Sequence, residues 1–342
     1  MRNLNSISWL FLVLFIIFLG IISACSASNS NNNNNDLNNS EEAESEEDFP
    51  EKDIEMVIPH GPGGASDLIF RLVASKAEEE LGQTIVPVNI DGASGTAAAR
   101  EVKDAEPDGY TIFGAHNGIE MAYHAGISDF TLAEAFDPIA HITSTPNILT
   151  SNTNSGWKDA EDFADYIENN PGELKWGHVP GSTDHFFISE FMDAVDGDLD
   201  DVNLVPYEGS GDLINDLLAE DIDGTMNNIA DSKDYYGEEF VALGLAHDER
   251  LEEASDIPTL KEQGIDMTNA TTRGFLAPEG TSEDKIVILQ DAFKKALEDP
   301  EVQEQINEEF GTIEDYKAHD EYEKDLKELT EKLNELSKDM DF

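Results

Sequence analysis

Ile58-Pro59-His60-Gly61-Pro62-Gly63-Gly64-Ala65-Ser66-Asp67 decides how this chain is read. It joins a strand-like run, Ile54 to Ile58, to a helical pattern that starts near Leu68. A glycine-rich turn from strand into helix leaves the first helical N–H groups unpaired and pointing outward. Such a turn holds an anion without needing a formal positive charge. Two more turns of this character follow. Asn89-Ile90-Asp91-Gly92-Ala93-Ser94-Gly95-Thr96 comes after a second strand candidate, with Thr96 a good N-cap residue. Gly181-Ser182-Thr183-Asp184-His185 comes after Trp176-Gly177-His178. One such loop is most simply a capped turn between strand and helix. Three imply a cleft walled by helix N-termini, because ligands of open α/β sheets sit at this strand edge.

Short apolar runs alternate with helical patterns around these turns. The strand candidates are 55–59, 85–89, 111–115, 147–150, 175–178, 203–206, 224–229 and 240–246. Helical patterns cover 67–81, 96–104, 158–169, 183–194 and 212–219. This alternation predicts an α/β architecture with largely parallel sheets. Gly82 stands where a C′ glycine stops a helix, and Pro107-Asp108-Gly109 is a turn signal. Further on, 282–298 reads as a helix opened by Ser282, and 314–338 as a second one. In the latter Leu326, Leu329, Leu333 and Leu336 form a stripe suited to packing on a domain, with too few heptads for a coiled coil. Thr145-Pro146-Asn147 suggests a break between two domains, with a return near 265–275.

The N-terminus reads as an export signal. Arg2 precedes an apolar run from Trp9 to Ile22, too short for the roughly 20 residues that span a bilayer. Ile22-Ser23-Ala24-Cys25 ends it in the manner of a bacterial lipoprotein signal, whose cysteine is acylated. Cys25 is the only cysteine, so no intramolecular disulfide forms. Residues 26–50 combine an Asn/Ser run with an acidic run and read as a disordered tether.

The formal net charge of −54 excludes nucleic acid as a partner, since phosphate contacts need Lys and Arg. Enzyme signatures are missing: residues 61–66 break G-x-G-x-x-G, no P-loop lysine follows, and no G-x-S-x-G elbow occurs. The eight histidines lack metal-ligand spacing, so neither metal nor cofactor is expected. The acidic stretch Asp193–Asp201 reads as a solvated loop. With only five arginines, an anionic ligand would rely on backbone N–H groups, on the hydroxyls of Ser66, Ser94, Thr96, Ser182 and Thr183, and on water. Arg273, in the return segment, either assists or forms a surface salt bridge.

Taken in order, these blocks resemble the solute-binding receptors of the tripartite tricarboxylate transporters. Residues 58–67 resemble that family's V-P-F-x-P-G-G-x-x-D loop, 89–95 its N-x-x-G-A-x-G loop, and 107–111 its P-D-G-Y-T turn. Residues 181–185, 205–210, 256–264 and 274–281 are similar to its G-[ST]-x-x-H, V-P-Y-x-G, D-V-P-T-L-x-E-x-G and G-x-x-A-P-x-G-T segments. Departures are His60 where Phe is frequent, Asn227 where Asp is common, and Thr271-Thr272 where an aromatic often precedes the R-G pair.

The resemblance implies a periplasmic-binding-protein-like fold of two α/β domains joined by two crossover strands, with a ligand cleft between them. Domain one would span 51–147 plus 268–342, and domain two 148–267. Ligand contacts are expected from Gly63, Gly64, Ser66 and Asp67, from Ala93, Ser94, Gly95 and Thr96, and from Gly181, Ser182, Thr183 and His185. Tyr207, Asn227 and Asn228 form a second rank. Tyr207 serves equally well as a core residue, and His185 as a cap. The implied protein is a monomeric, lipid-anchored, extracytoplasmic receptor that closes by a hinge on a small carboxylate. It would bind with about −8 kcal/mol and deliver to a large and a small membrane subunit. A receptor feeding a signalling partner, and a cleft enzyme, are the rival readings.

The acidic surface also predicts adaptation to high salt, where repulsion between carboxylates is screened within about 3 Å at 1 M. The melting temperature is expected to fall as salt is diluted to low ionic strength; a melting temperature indifferent to salt would remove this expectation.

Overall fold

The structure is a computed structural model and describes residues 49–207, 210–232 and 235–340. The export signal, Cys25, the tether up to residue 48 and the pair 208–209 lie outside the described residues. Eleven strands form two sheets among the described residues. The strands are β1 (Ile54–Pro59), β2 (Ile85–Ile90), β3 (Thr111–His116), β4 (Phe136–Pro146), β5 (Ile148–Asn152) and β6 (Leu174–His178). They continue with β7 (Val202–Pro206), β8 (Gly224–Asn227), β9 (Phe240–Leu245), β10 (Ala270–Pro278) and β11 (Ile313–Ala318). The helices are α1 (Ala65–Leu81), α2 (Thr96–Lys103), α3 (Gly118–His124), α4 (Leu132–Ala135), α5 (Ala160–Asn169) and α6 (Thr183–Ala194). The remainder are α7 (Ser210–Leu218), α8 (Ile229–Ser232), α9 (Glu283–Leu297), α10 (Pro300–Glu304) and α11 (His319–Leu336).

One sheet has the order β11-β4-β10-β3-β1-β2 and the other β7-β6-β8-β5-β9. Each contains three parallel strands, β2-β1-β3 and β7-β6-β8. The neighbours β10, β4 and β11, and likewise β5 and β9, run antiparallel. The sheets are therefore mixed rather than largely parallel. The reason is that the chain passes between them twice, from β4 into β5 and from β9 back to β10, and both passages lie side by side as an antiparallel ribbon.

Period-two alternation places β1 in the first sheet. Ile54, Met56 and Ile58 face a core shared with Phe70 and Val73 of α1 and Leu289 and Phe293 of α9. Val57 faces the opposite layer, with Ala98 and Val102 of α2, Ile119 of α3 and Tyr322 and Leu326 of α11. In the second sheet Leu149, Leu174 and Trp176 pack on Phe163 of α5 and Phe187 and Phe191 of α6. On its other face α7 contributes Leu213 and Leu217 to a cluster with Ile222 and Phe240.

All eight strand candidates are present, though Ile229 opens α8 instead of ending β8. Gly82 stops α1 in the left-handed conformation, φ 66°, with its N–H on the Glu78 carbonyl. Three strands lie outside those candidates, among them β10, which falls in the stretch read as the return between domains. β4 carries buried His141, Thr143 and Thr145 between apolar residues, and so lacks an apolar run. β11 (Ile-Glu-Asp-Tyr-Lys-Ala) is a half-buried edge strand where 314–338 suggested helix throughout; α11 begins only at His319.

The C-terminal helix spans both sheets' layers. Leu333 of α11 and Met340 cluster with Met121 of α3 and Phe186 of α6, and Lys332 pairs with Glu190 of α6. At its other end Tyr322 packs flat on β10, so closely that a Cβ added to Gly274 would lie 2.5 Å from the Tyr322 ring. Gly274→Val is expected to lift α11 from β10 and cost about 1–3 kcal/mol in urea unfolding. An unchanged midpoint would contradict this packing.

Candidate functional site

Every expected contact residue lies at or just beyond the C-terminal end of a parallel strand. The first loop follows β1, the second follows β2, and His116-Asn117-Gly118 ends β3 and opens α3. The third loop follows β6, Tyr207 follows β7, and Asn227 ends β8 with Asn228 next to it. These are the strand ends where open α/β sheets bind ligands.

The first loop is held from behind by Asp67, which is 4% exposed. Its carboxylate accepts from Gly63 N at 2.9 Å, Arg71 Nε at 2.8 Å and Asn89 Nδ2 at 2.9 Å. Asn89 also donates to His60 O and accepts from Arg71. Burial works against the Asp67 charge, but the bonds from Asn89, Gly63 and Arg71 outweigh it and hold the carboxyl below its usual range. Asp67 thus shapes the loop from beneath. In front of the loop the space is open: Cβ atoms added at Gly61, Gly63 or Gly64 would meet nothing within 4 Å. Ser66 Oγ accepts from Arg273 Nε at 2.9 Å. Arg273 is a buried guanidinium, 5% exposed, which also donates to Thr145 Oγ1 and the Thr271 carbonyl. It stands beneath the loop and is no surface salt bridge.

The second loop has four successive residues at positive φ: Gly92 (125°), Ala93 (49°), Ser94 (54°) and Gly95 (85°). For Ala93 and Ser94 this costs about 1–2 kcal/mol each, a strain characteristic of binding turns. Asp91 Oδ1 accepting from Gly92 N, and Gly95 N donating to Gly92 O, help to offset it. Gly95, not Thr96, is the N-cap of α2, and Thr96 Oγ1 instead donates to the Ala93 carbonyl at 2.8 Å. A Cβ on Gly95 would stand 3.1 Å from Pro59 Cβ and 3.4 Å from His60 Nε2, so the first two loops are in contact.

The third loop meets them through α3. A Cβ on Gly118 would be 3.8 Å from Thr183 Cγ2, and one on Gly181 would be 2.5 Å from Ala125 Cβ. Behind this loop sits a buried polar cluster. Ser182 Oγ donates to the Val179 carbonyl and to Asp184 Oδ1, which also accepts from Val179 N and His185 N. Burial drives the Asp184 carboxyl up to about 6, with these bonds limiting the rise. His178 and His185 lie with ring centroids 4.1 Å apart, and Gly181 N donates to His185 Nδ1. Burial lowers His178 to about 4; burial, with His178 as neighbour, lowers His185 to about 3. His185, fully buried, acts as a support for the loop, as does Ser182.

Tyr207 N donates to the His178 carbonyl at 2.8 Å behind the third loop. Its partly buried ring packs with the α7 cluster and its hydroxyl donates to Asp216 Oδ2 at 2.6 Å, a packing role. Asn227, 7% exposed, has an Nδ2 without a hydrogen-bond partner among the described residues. His116, Asn89 and Arg71 were missed as parts of this site. His116 occupies the same strand-end position after β3 that marked the other loops, which was the available signal. Among the described residues no group of three or more His, Cys, Asp or Glu could hold a metal ion, and no helix is long and apolar enough to cross a membrane.

A family model described as "Tripartite tricarboxylate transporter family receptor" matches residues 69–341. A UPF0065 protein of Bordetella pertussis is 31% identical over 258 residues, 74% of this chain and 78% of that protein. MatC from Rhodopseudomonas palustris, solved with bound malate, superposes with a TM-score of 0.71 at 26% identity, covering 84% of this chain and 100% of that one. A second R. palustris protein, solved with adipate, gives a TM-score of 0.70 at 25% identity, covering 85% and 98%.

The buried carboxylate beneath the first loop has a direct test. Asp67→Ala strands the Arg71 guanidinium and the Gly63 N–H, and is expected to cost about 2–3 kcal/mol at pH 7 in urea unfolding. Because the folded pKa is depressed, the parent should lose this contribution as the pH falls from about 4 through that lower value, narrowing the gap between the two proteins. A gap that is constant down to acid unfolding would contradict the network.

Proposed function

The chain belongs to the tripartite tricarboxylate transporter family of receptors, and we propose that it is an extracytoplasmic receptor for a small organic carboxylate. In this reading it is anchored by a lipid on Cys25, works as a monomer in saline surroundings, and hands its ligand to the large and small membrane subunits of a transporter. Its two domains, 51–147 with 268–342 and 148–267, close on the ligand about the paired crossover strands. The observation that carries the reading is the meeting of three strand-to-helix loops from two sheets, with open space in front of Gly61, Gly63 and Gly64 where the ligand groove would lie. A buried guanidinium behind Ser66 gives this groove a positive field within a chain of net charge −54. The malate and adipate held by two similar proteins point to the carboxylate class.

The direct ligand contacts are then backbone groups of Gly63, Gly64, Ala93, Ser94, Gly95 and Thr96, the Ser66, Ser94 and Thr183 hydroxyls, and the spare Asn227 donor with Asn228 beside it. Asp67, Ser182 and His185 hold these contacts in place. The Gly181 backbone and Tyr207 do so too.

A thermal-shift screen of mono-, di- and tricarboxylates at high salt tests the class. A carboxylate present at 100 times its Kd stabilises the folded state by about 2.7 kcal/mol, a rise of several degrees. Gly64→Leu is the sharper probe. Gly64 has ordinary extended backbone, φ −76°, and an open front, so the leucine is accommodated and fills the groove. Its melting temperature should match the parent's while the carboxylate-induced rise disappears. Gly95 is unsuitable for this purpose, because a side chain there collides with Pro59 and Ile119. No rise with any carboxylate, or a rise that Gly64→Leu retains, would overturn the proposal.

A further inference from the structure

His60 and His116 are 56 residues apart in sequence, yet their Nε2 atoms lie 2.9 Å apart, with ring centroids at 5.1 Å and planes 28° apart. Two imidazole nitrogens at this distance need one N–H and one bare lone pair. The surrounding bonds assign them. Gly118 N donates to His116 Nδ1 at 3.1 Å, so neutral His116 carries its proton on Nε2 and donates to His60. His60 then keeps its own proton on Nδ1, which lies 4.0 Å from Asp91 Oδ1. The neutral pair is a short relay from the first loop to the start of α3.

This relay forms part of the groove wall. His60 Nε2 lies beside Gly95, and Gly118, which holds the other end, faces Thr183 of the third loop. The His60 side chain is 44% exposed, so solutes reach it. The charged neighbours are few. Asp91 faces His60 from the second loop. Arg273 pairs directly across the sheet from His116. Asp67 and Arg71 lie beneath, bonded to each other and to Asn89. From α3, Glu120 is spent on Leu132 N and the Thr330 hydroxyl, and the third loop presents the neutral Thr183.

Resting on the receptor reading above, we propose that the His60–His116 pair makes the groove a proton-linked anion site, in which one proton binds to the imidazoles together with the carboxylate ligand. In the empty groove a further positive charge is opposed. Burial lowers His60 despite Asp91, and burial, His60 and Arg273 together lower His116 to about 3. An anion seated beside the pair cancels that field and raises its proton affinity. By reciprocity a proton on the pair tightens the anion. The pair's pKa is higher with ligand than without, so affinity increases as the pH falls through the ligand-bound pKa, by up to about tenfold per pH unit for one proton.

Titration calorimetry with malate and adipate at high salt, in two buffers of unlike ionisation heat, counts the protons taken up. The useful range is about pH 6.5 to 8.5, where histidine titrates and neither acid does. The expected result is uptake that rises toward one proton per ligand as the pH falls, with Kd falling in step. His60→Gln should abolish the buffer-dependent heat, and whatever affinity it retains should be the same at both ends of the range. His116→Gln should behave alike, with its melting temperature checked. Binding to the parent with no proton uptake and a constant Kd overturns the linkage and leaves the receptor reading standing. Uptake that survives in His60→Gln places the proton elsewhere and overturns the assignment. No binding by either acid, together with no thermal rise by any carboxylate, overturns both.

Discussion

The site depends on the crossing of two strands at a buried asparagine. Asn147, wholly buried, takes the chain from β4 into β5, while 246–269 brings it back from β9 to β10. The Asn147 N–H donates to Asn269 O and its carbonyl accepts from Ala246 N; Asn269 N in turn donates to Ala246 O. Its side-chain amide donates to Asn269 Oδ1 at 2.6 Å. Asn269 reaches on to Glu190 of α6, which Lys332 of α11 also holds. The helix that begins with the third loop is thereby indexed to the ribbon on which both sheets turn. A binding site whose walls come from two sheets needs such a fixed reference, since its donors otherwise have no common frame.

Electrostatics tell a matching story. A chain with 74 acidic and 20 basic residues repels anions over most of its surface. Two of its five arginines are nonetheless placed under the first loop: Arg71 neutralises Asp67, and Arg273 leans on the hydroxyls of Ser66 and Thr145. Burial keeps Arg273 from being screened as exposed charges are. A small positive field is thus confined to one spot.

The glycine loops, the alternation of elements and the stop at Gly82 were legible in the sequence because each is local: turn chemistry and periodicity operate within a few residues. β4 was not legible, because its buried His141, Thr143 and Thr145 are satisfied or enclosed only by partners such as Thr312, Asp315 and Arg273, far along the chain. β11 was misread because an edge strand carries charges like a helix surface does. Within the site, Ser66 and Gly95 were recognisable from loop type. The tie from Asp67 to Asn89, the His60–His116 contact and the packing of Tyr207 are tertiary events, and no local pattern encodes them. Arg273 could be singled out from its rarity and its place on the returning strand, but its partner Ser66 is 207 residues away.

The left-handed run from Gly92 to Gly95 has a thermodynamic corollary. Gly95 is pinned against Pro59 and Ile119, and Thr96 is tied back to Ala93, so the backbone there is ordered before any ligand arrives. Immobilising that much flexible chain on binding would consume about 1–2 kcal/mol per residue. Here this ordering is done once, during folding, at the expense of global stability. A ligand held by this wall would therefore cost little conformational entropy there.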